Sequence, residues 1–173
     1  MRARPALAVA ALLLAVACTT TPPPPPPTGV QRVQVATPVN KSGRDLIISG
    51  KWDLAALLGR PKRTVMQEMG ERLEEALRDR GFTVVTGGDA DVLTVTIERF
   101  DPDTTSFDFV SAAIAARLTT TDGREVWSAR RAPWTVPTRG AVDVGDAWKL
   151  AAASVAQQLV RNWAPATQAP GAK

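Results

Sequence analysis

The residue types able to do chemistry are few in this chain of 173 residues, and the missing types exclude most enzymes. The chain contains no His and no Tyr, and its single Cys is Cys18. Without His there is no imidazole general base and no imidazole metal ligand. One Cys forms neither an intramolecular disulfide nor a CxxC site, and it has no His partner for nucleophilic catalysis. The sequence therefore favours a non-enzymatic protein that holds no cofactor and no metal.

Two further groups of residues invite a catalytic or cation-binding interpretation. Asp101 and Asp103 flank a proline, with Asp108 nearby. Two carboxylates around a proline are typical of a turn, and no calcium loop of about 12 residues surrounds them. Ser42 and Ser49 lie near lysines, but neither lies in a nucleophile elbow or an SxxK motif. We interpret both groups as structural.

The N-terminal segment predicts export from the cytoplasm. Arg2 and Arg4 lie before an unbroken apolar run from Ala6 to Ala17. This run is shorter than the about 20 residues that a membrane-spanning helix needs, which is typical of a secretory signal peptide. We therefore predict that residues 1–17 are a signal peptide.

The sequence Ala15-Val16-Ala17-Cys18 resembles the bacterial lipobox. The resemblance implies that Cys18 carries a diacylglycerol, that cleavage occurs directly before it, and that acyl chains such as palmitate anchor the mature protein. Ala15 stands where Leu is usual, and the same residues also fit an ordinary cleavage site that releases a secreted protein with a free thiol. The lipoprotein interpretation is favoured because the single Cys lies where an anchor needs it. Thr19, where Asp would retain a lipoprotein at the inner membrane, favours the periplasmic face of the outer membrane.

The charge balance argues against nucleic acid as a partner. The chain has 21 basic and 17 acidic residues, a formal net charge of +4. Because Arg2 and Arg4 lie in the predicted signal peptide, the mature charges nearly balance, unlike those of a nucleic-acid-binding domain. The expected partners are the membrane, through the lipid anchor, and an envelope protein complex. The sequence leaves the oligomeric state and the partner's identity open.

Composition divides the mature chain into a tether, a domain and a tail. Residues 18–29 contain Cys18 and the six consecutive prolines of 22–27, which favour an extended polyproline II spacer. A proline-motif ligand for a partner is the alternative interpretation of this run. Residues 30–163 carry the periodicities of a globular domain, and residues 164–173 are predicted to be a disordered tail.

The periodicities within the domain predict strands and two helices. Alternating or short apolar runs predict strands at 31–37, 46–48, 82–86, 92–100, 109–120 and 124–134, the last two joined by a turn at Asp122-Gly123. Helical spacing predicts a short helix at 52–58, a helix with a capping box at Thr64 and Gln67 that ends at Gly81, and a final helix from Val144 to Trp163. This order predicts an α+β fold, a two-layer sandwich in which a mixed sheet of four to five strands carries two helices on one face.

The order of elements and several short motifs resemble a superfamily of periplasmic lipoproteins. The matching segments are Val33 to Gly43, Arg80-Gly81-Phe82, Ala90-Asp91-Val92-Leu93 and Gly123 to Trp127. That superfamily includes the curli-secretion lipoprotein CsgG and the activators of penicillin-binding proteins, and the lipopolysaccharide-assembly lipoprotein has a similar order. The resemblance implies a non-enzymatic accessory module for envelope assembly or export. The alternative is a lipid- or lipopolysaccharide-handling subunit.

A candidate partner-binding patch precedes the first long helix. Arg60, Lys62 and Arg63 lie where positive charge opposes the helix dipole, so they cost helix stability unless they serve another purpose. Trp52 lies in the irregular segment beside them, and Trp is enriched where partners bind. We predict that these four residues form the patch, and a solvated loop is the alternative.

Overall fold

The structure is a computed structural model that describes residues 24–27, 29–48 and 62–165. Within these ranges the elements follow in this order: β1 (Arg32–Val35), β2 (Val39–Asn40), α1 (Val65–Asp79), β3 (Thr83–Val84), β4 (Asp91–Pro102), β5 (Phe109–Thr119), β6 (Glu125–Pro137) and α2 (Val144–Val160). The predicted signal peptide, the anchor cysteine and the predicted short helix lie outside the described residues.

The six strands form one mixed sheet in the order β3-β1-β4-β5-β6, with β2 also paired to β4. Strands β1 and β2 run parallel to β4 along the same edge, whereas β4, β5 and β6 form an antiparallel meander. Pro38, which has no N–H to donate, lies between β1 and β2 and divides this edge into two short strands. The predicted α+β fold with a mixed sheet and two helices is confirmed, with one strand more than expected.

The core lies between the helices and one face of the sheet. Alternate residues of β4 are buried, among them Leu93, Val95 and Ile97, as the period of two predicts. They form a single apolar cluster with the buried sides of both helices, which also pack against each other. The opposite face of the meander carries threonines and charged residues.

Helix α1 begins and ends where the sequence predicts. The Gln67 N–H donates to the Thr64 hydroxyl at 3.3 Å, and the Gln67 side-chain oxygen accepts from the Thr64 N–H at 2.9 Å. These two bonds form the capping box and satisfy N–H groups that a helix start leaves unpaired. Gly81, with φ of 91°, provides the left-handed residue after the helix.

Four predicted boundaries were wrong. Strand β4 does not break at Asp101 but continues through Pro102, which pairs with Val110. Helix α2 ends at Val160, and Trp163 is buried in the turn that follows. In place of a strand at 82–86, β3 has only two residues, and 46–48 contributes only an isolated bridge between Ile47 and Thr64. These short pairings depend on partner strands that are distant in sequence, and the local periodicity of a segment carries no information about such partners.

Candidate interaction sites

The structure describes two of the four residues of the predicted patch. Lys62 is exposed and forms no ion pair with any residue of the described ranges. Arg63 is also largely exposed, but its Nε lies 2.9 Å from Oε2 of Glu68, and its guanidinium pairs with Glu71 as well. Trp52 and Arg60 lie outside the described residues, so partner binding by the patch stays a prediction.

Glu68 is a buried carboxylate that the sequence analysis did not single out. Its side chain is only 3% exposed, and Oε1 lies 2.8 Å from Nε of Arg72 while Oε2 faces Arg63. A buried charge needs such partners because leaving water is costly. The burial of Glu68 could have been predicted from the sequence, because Glu68 falls between the apolar residues Val65 and Met69 on the inward side of α1. Arg63 therefore stabilises the helix start through Glu68.

The acidic residues near Pro102 make structural contacts, but the turn predicted around Pro102 is wrong for Asp101 and Pro102, which belong to β4, and Asp103 alone of the predicted turn lies in the loop that follows. Asp103 accepts hydrogen bonds from the hydroxyl and N–H of Ser106 and from the N–H of Thr105. The Ser106 hydroxyl, followed by the Thr105 N–H, holds the pKa of the Asp103 carboxyl below its usual range. Asp101 pairs with Arg99 at 2.8 Å and with Arg44 at 3.2 Å. Across the described part of the chain no group of three or more acidic, His or Cys residues is placed to hold a metal ion.

The proline run contacts the domain at Trp127. The indole Nε1 of Trp127 donates a hydrogen bond to the Pro24 carbonyl at 3.0 Å, and the Trp127 side chain is buried beneath this contact. The Trp163 ring meets Trp127 edge-on at a centroid distance of 5.0 Å, and Phe82 meets Trp163 at 6.0 Å. We call Trp127, Trp163 and Phe82 the aromatic cluster. Trp127 lies in a strand that the periodicity predicts, but the sequence carries no local signal for its proline partner.

The domain has two opposite ends, which the strand directions define. At the tether end, Pro24 contacts Trp127, which pairs with Leu118 near the β5–β6 turn. Leu118 pairs on its other side with Leu93, near the start of β4. At the distal end lies the loop 103–108, and the start of α1 lies toward this end, because the Val65 N–H donates to the Leu46 carbonyl and nearby Arg44 pairs with Asp101. Helix α1 runs from the distal end back to the tether end, and its 15 residues span about 22 Å. Lys62 and Arg63 are thus separated from the tether by the length of a helix.

A shallow groove of about 500 Å³ crosses the face of the sheet that no described helix covers. Lys41, Arg117, Glu125 and Arg130 border its floor of small and polar side chains. Arg130 pairs with Glu98 at 3.2 Å, whereas Lys41 and Arg117 form no ion pair within the described residues. The groove therefore has two positive charges outside any ion pair of the described residues, Lys41 and Arg117, against the one carboxylate of Glu125.

Arg131 and Trp134 form a cluster on the helix side of β6. The Arg131 guanidinium lies 4.1 Å from the Trp134 ring centroid, and its Nη1 donates to Gln158 of α2 at 2.7 Å. Burial lowers the pKa of Arg131. Trp134 is therefore packed under an arginine rather than presented to a partner.

In the ranges that the structure describes, no helix combines the length and apolar character that crossing a membrane requires.

No family model and no curated protein matches the chain. Among solved structures it is similar to a Xanthomonas campestris protein described as DUF330, with 18% identity, 80% of this chain and 86% of that chain covered, and a TM-score of 0.49. It is similar to the PelC dodecamer of Paraburkholderia phytofirmans, with 17% identity, coverages of 80% and 95%, and a TM-score of 0.45. It is also similar to a minor lipoprotein of Acinetobacter baumannii, with 12% identity, coverages of 78% and 91%, and a TM-score of 0.42. One of the three is thus a bacterial lipoprotein, while the finer resemblance to CsgG-like and penicillin-binding-protein-activating lipoproteins stays a prediction.

Proposed function

We propose that the protein is a lipid-anchored, non-enzymatic accessory module of the bacterial envelope, which binds a protein partner at its distal end. The observation that carries this proposal is the separation of the two ends of the domain. Pro24 lies against Trp127 at one end, while Lys62 and Arg63 lie at the other. A tether at one end leaves the opposite end free to meet a partner.

The anchor in this proposal is Cys18. It is the single cysteine of the chain and follows a short apolar run, six residues before Pro24. Two or more acyl chains are enough for stable membrane attachment, whereas one chain is marginal. Thr19 after the cysteine supports the outer membrane, with the domain in the periplasm.

Positive charge and an aromatic side chain support a protein partner at the distal end. Lys62 is exposed without an ion pair among the described residues, and Arg60 and Trp52 lie close to it in sequence. Uncompensated surface charge accelerates encounter with an acidic surface, and a buried Trp anchor contributes most of the affinity of many interfaces. Arg63 has a smaller role in binding, because Glu68 and Glu71 hold its guanidinium.

The first prediction concerns the anchor. Replacing Cys18→Ser should abolish labelling with radioactive palmitate and leave an uncleaved or soluble precursor, because the thiol is the acceptor of the lipid. Labelling and fractionation of cell extracts measure both effects. Unchanged membrane fractionation of the variant, together with an unmodified Cys18 thiol in the mature native protein, would contradict the lipidated anchor.

The second prediction concerns the patch. Trp52→Ala should weaken partner binding, and the double variant Arg60→Glu with Lys62→Glu should slow association more at low salt than at high salt. Arg124→Glu at the tether end is the matched control and should bind normally. Association rates measured on immobilised partner test this. If Trp52→Ala unfolds the domain instead, Trp52 is a core residue and the patch is wrongly assigned.

The groove on the open face of the sheet favours a second candidate function, the handling of an anionic lipid or lipopolysaccharide. Lys41 and Arg117 supply the positive charges, and the small side chains between them leave space for a ligand. Co-purification in mild detergent separates the candidates. Recovery of a large outer-membrane barrel favours lipopolysaccharide assembly, whereas a peptidoglycan synthase or a secretion complex favours the accessory module.

A further inference from the structure

We infer that the aromatic cluster is a polyproline-binding surface, and that its occupant is the chain's own segment Pro24 to Pro27. This part of the tether, which we call the strap, is then bound to the domain at this end and does not move freely. The docking itself does not depend on lipidation of Cys18.

The two partners are chemically complementary. A polyproline II segment forms no internal hydrogen bonds, so its carbonyls are free to accept, and proline has no N–H to donate. The indole of Trp is a donor only. The bond of 3.0 Å from Trp127 Nε1 to the Pro24 carbonyl joins this donor to a free acceptor of the proline run. Aromatic grooves that bind proline-rich ligands use the same combination of flat rings and a stiff, preformed segment.

The indole donor of Trp127 differs from the other indole donors that the structure describes. The Nε1 atoms of Trp134, Trp148 and Trp163 are buried without a hydrogen-bond partner in the described ranges. Trp127 alone among these four has a partner, and that partner lies 103 residues earlier in the chain. Removing the strap would leave this donor with water as its only acceptor.

The strap is also held at its other end. Val30 is buried in the core, and the Gln31 carbonyl accepts from the Thr83 N–H at 2.9 Å as β1 begins. Pro24 and Val30 are therefore each held by a contact with the domain. Because polyproline II is already extended and stiff, docking it costs less conformational entropy than docking a flexible linker.

The orientation of the domain follows if Cys18 is lipidated, a step that depends on the proposed function. Pro24 follows Cys18 by six positions, a fully extended reach of about 22 Å. The docked strap then holds the β5–β6 turn close to the bilayer and directs the distal end away from it.

Exchange of the Trp127 indole proton tests the docking directly. The chain 18–173, prepared without lipid, is compared by NMR with the chain 28–173, and Trp127→Phe assigns the indole signal. We expect exchange at Trp127 to accelerate at least tenfold when residues 18–27 are removed, while the Trp148 indole changes less than twofold. Equal exchange in both chains would overturn the docking. Protection that disappears on dilution would also overturn it, because the occupant would then be the proline run of a second copy.

A spin label on the thiol of Cys18 gives a second measurement that needs no truncation. In the chain 18–173 the label should broaden the amide signals of residues 120–127 several-fold more than those of residues 62–64. Trp127→Phe, which keeps an aromatic ring but removes the donor, should reduce this difference at least twofold. The matched control Trp134→Phe, on the same strand, should leave it unchanged. Equal effects of the two substitutions would contradict the assignment of Trp127 as the docking residue. Since no lipid is present, either failure leaves the lipid anchor untouched.

Discussion

At the scale of single residues, the buried carboxylate of Glu68 determines what the neighbouring arginines do. Arg63 and Arg72 approach its two oxygens from outside, each at less than 3 Å, and each is itself largely exposed. Arg72 also pairs with Glu75, and these carboxylates, Glu75 first and then Glu68, raise the pKa of its guanidinium. The pairs neutralise a charge that burial would otherwise make costly. Basic residues next to a helix start can therefore be structural rather than partner-binding.

The third prediction tests this role. The double variant Arg63→Ala with Arg72→Ala should lower the free energy of unfolding by about 3 kcal/mol, because it leaves Glu68 buried without a counter-charge. Adding Glu68→Gln should recover part of the loss, since a neutral amide is less costly to bury than a carboxylate. Urea denaturation measures the free energy of unfolding of the unchanged protein, the double variant and the triple variant.

Arg78→Ala is the matched control on the same helix. Among the residues that the structure describes, Arg78 pairs only with Glu74 near the surface, so the change should stay within about 0.5 kcal/mol. If the double variant is no less stable than this control, the two ion pairs do not stabilise the buried carboxylate.

At the scale of the elements, glycines contribute in opposite ways to the β5–β6 turn and to α1. Gly123 has φ of 84°, and a side chain added there would meet no heavy atom within 4 Å, so only its backbone conformation requires glycine. Gly70 lies inside α1, where glycine is less stable than alanine. A Cβ on Gly70 would meet Pro38 at 3.5 Å, an ordinary contact.

The fourth prediction pairs these two positions. Gly123→Ala should destabilise the domain by about 1 kcal/mol because alanine resists the left-handed conformation. Gly70→Ala should instead stabilise it by about 0.5 to 1 kcal/mol. Thermal unfolding of both variants gives the sign of each change in stability. A shift in the same direction for both would mean that the backbone argument fails at one of them.

Elements with local signals could be predicted from the sequence, and elements that depend on distant partners could not. The capping box at Thr64, the glycine after α1 and the Asp-Gly turn of the hairpin each lie within a few residues of what they determine, and all three were found. The continuation of β4 through Pro102 depends on pairing with β5, and the burial of Glu68 depends on its two arginines. The contact between Pro24 and Trp127 has no local signal at all, since neither residue type specifies the other.

At the scale of the whole molecule, the contact with the proline run and the candidate patch lie near opposite ends of helix α1. Pro24 contacts Trp127 at the tether end, α1 runs for about 22 Å toward that end, and Lys62 lies just before the start of the helix. A rigid connection of this kind gives a membrane protein a defined reach as well as attachment.

The fifth prediction separates attachment from orientation. Replacing the six prolines 22–27 by glycine and serine of equal length should leave membrane fractionation unchanged, because the lipid supplies the attachment. Recruitment of the partner on vesicles should weaken, because a flexible linker lets the domain tumble and lowers the fraction of productive orientations. Binding of the unlipidated domain in solution should not change and serves as the control. Equal recruitment on vesicles would mean that the prolines act only as a spacer.

The contact between Trp127 and the proline run also has a consequence for the order of folding. The strands β4, β5 and β6 are consecutive in sequence, so their pairing closes only short loops and can form early. The bond from Trp127 to Pro24 closes a loop of about a hundred residues and gains its partner only after the aromatic cluster has assembled. The segment next to the anchor is therefore expected to be the last part of the molecule to dock and the first to open. A chain attached to a membrane before it is folded would thus keep its N-terminal segment free until the domain is complete.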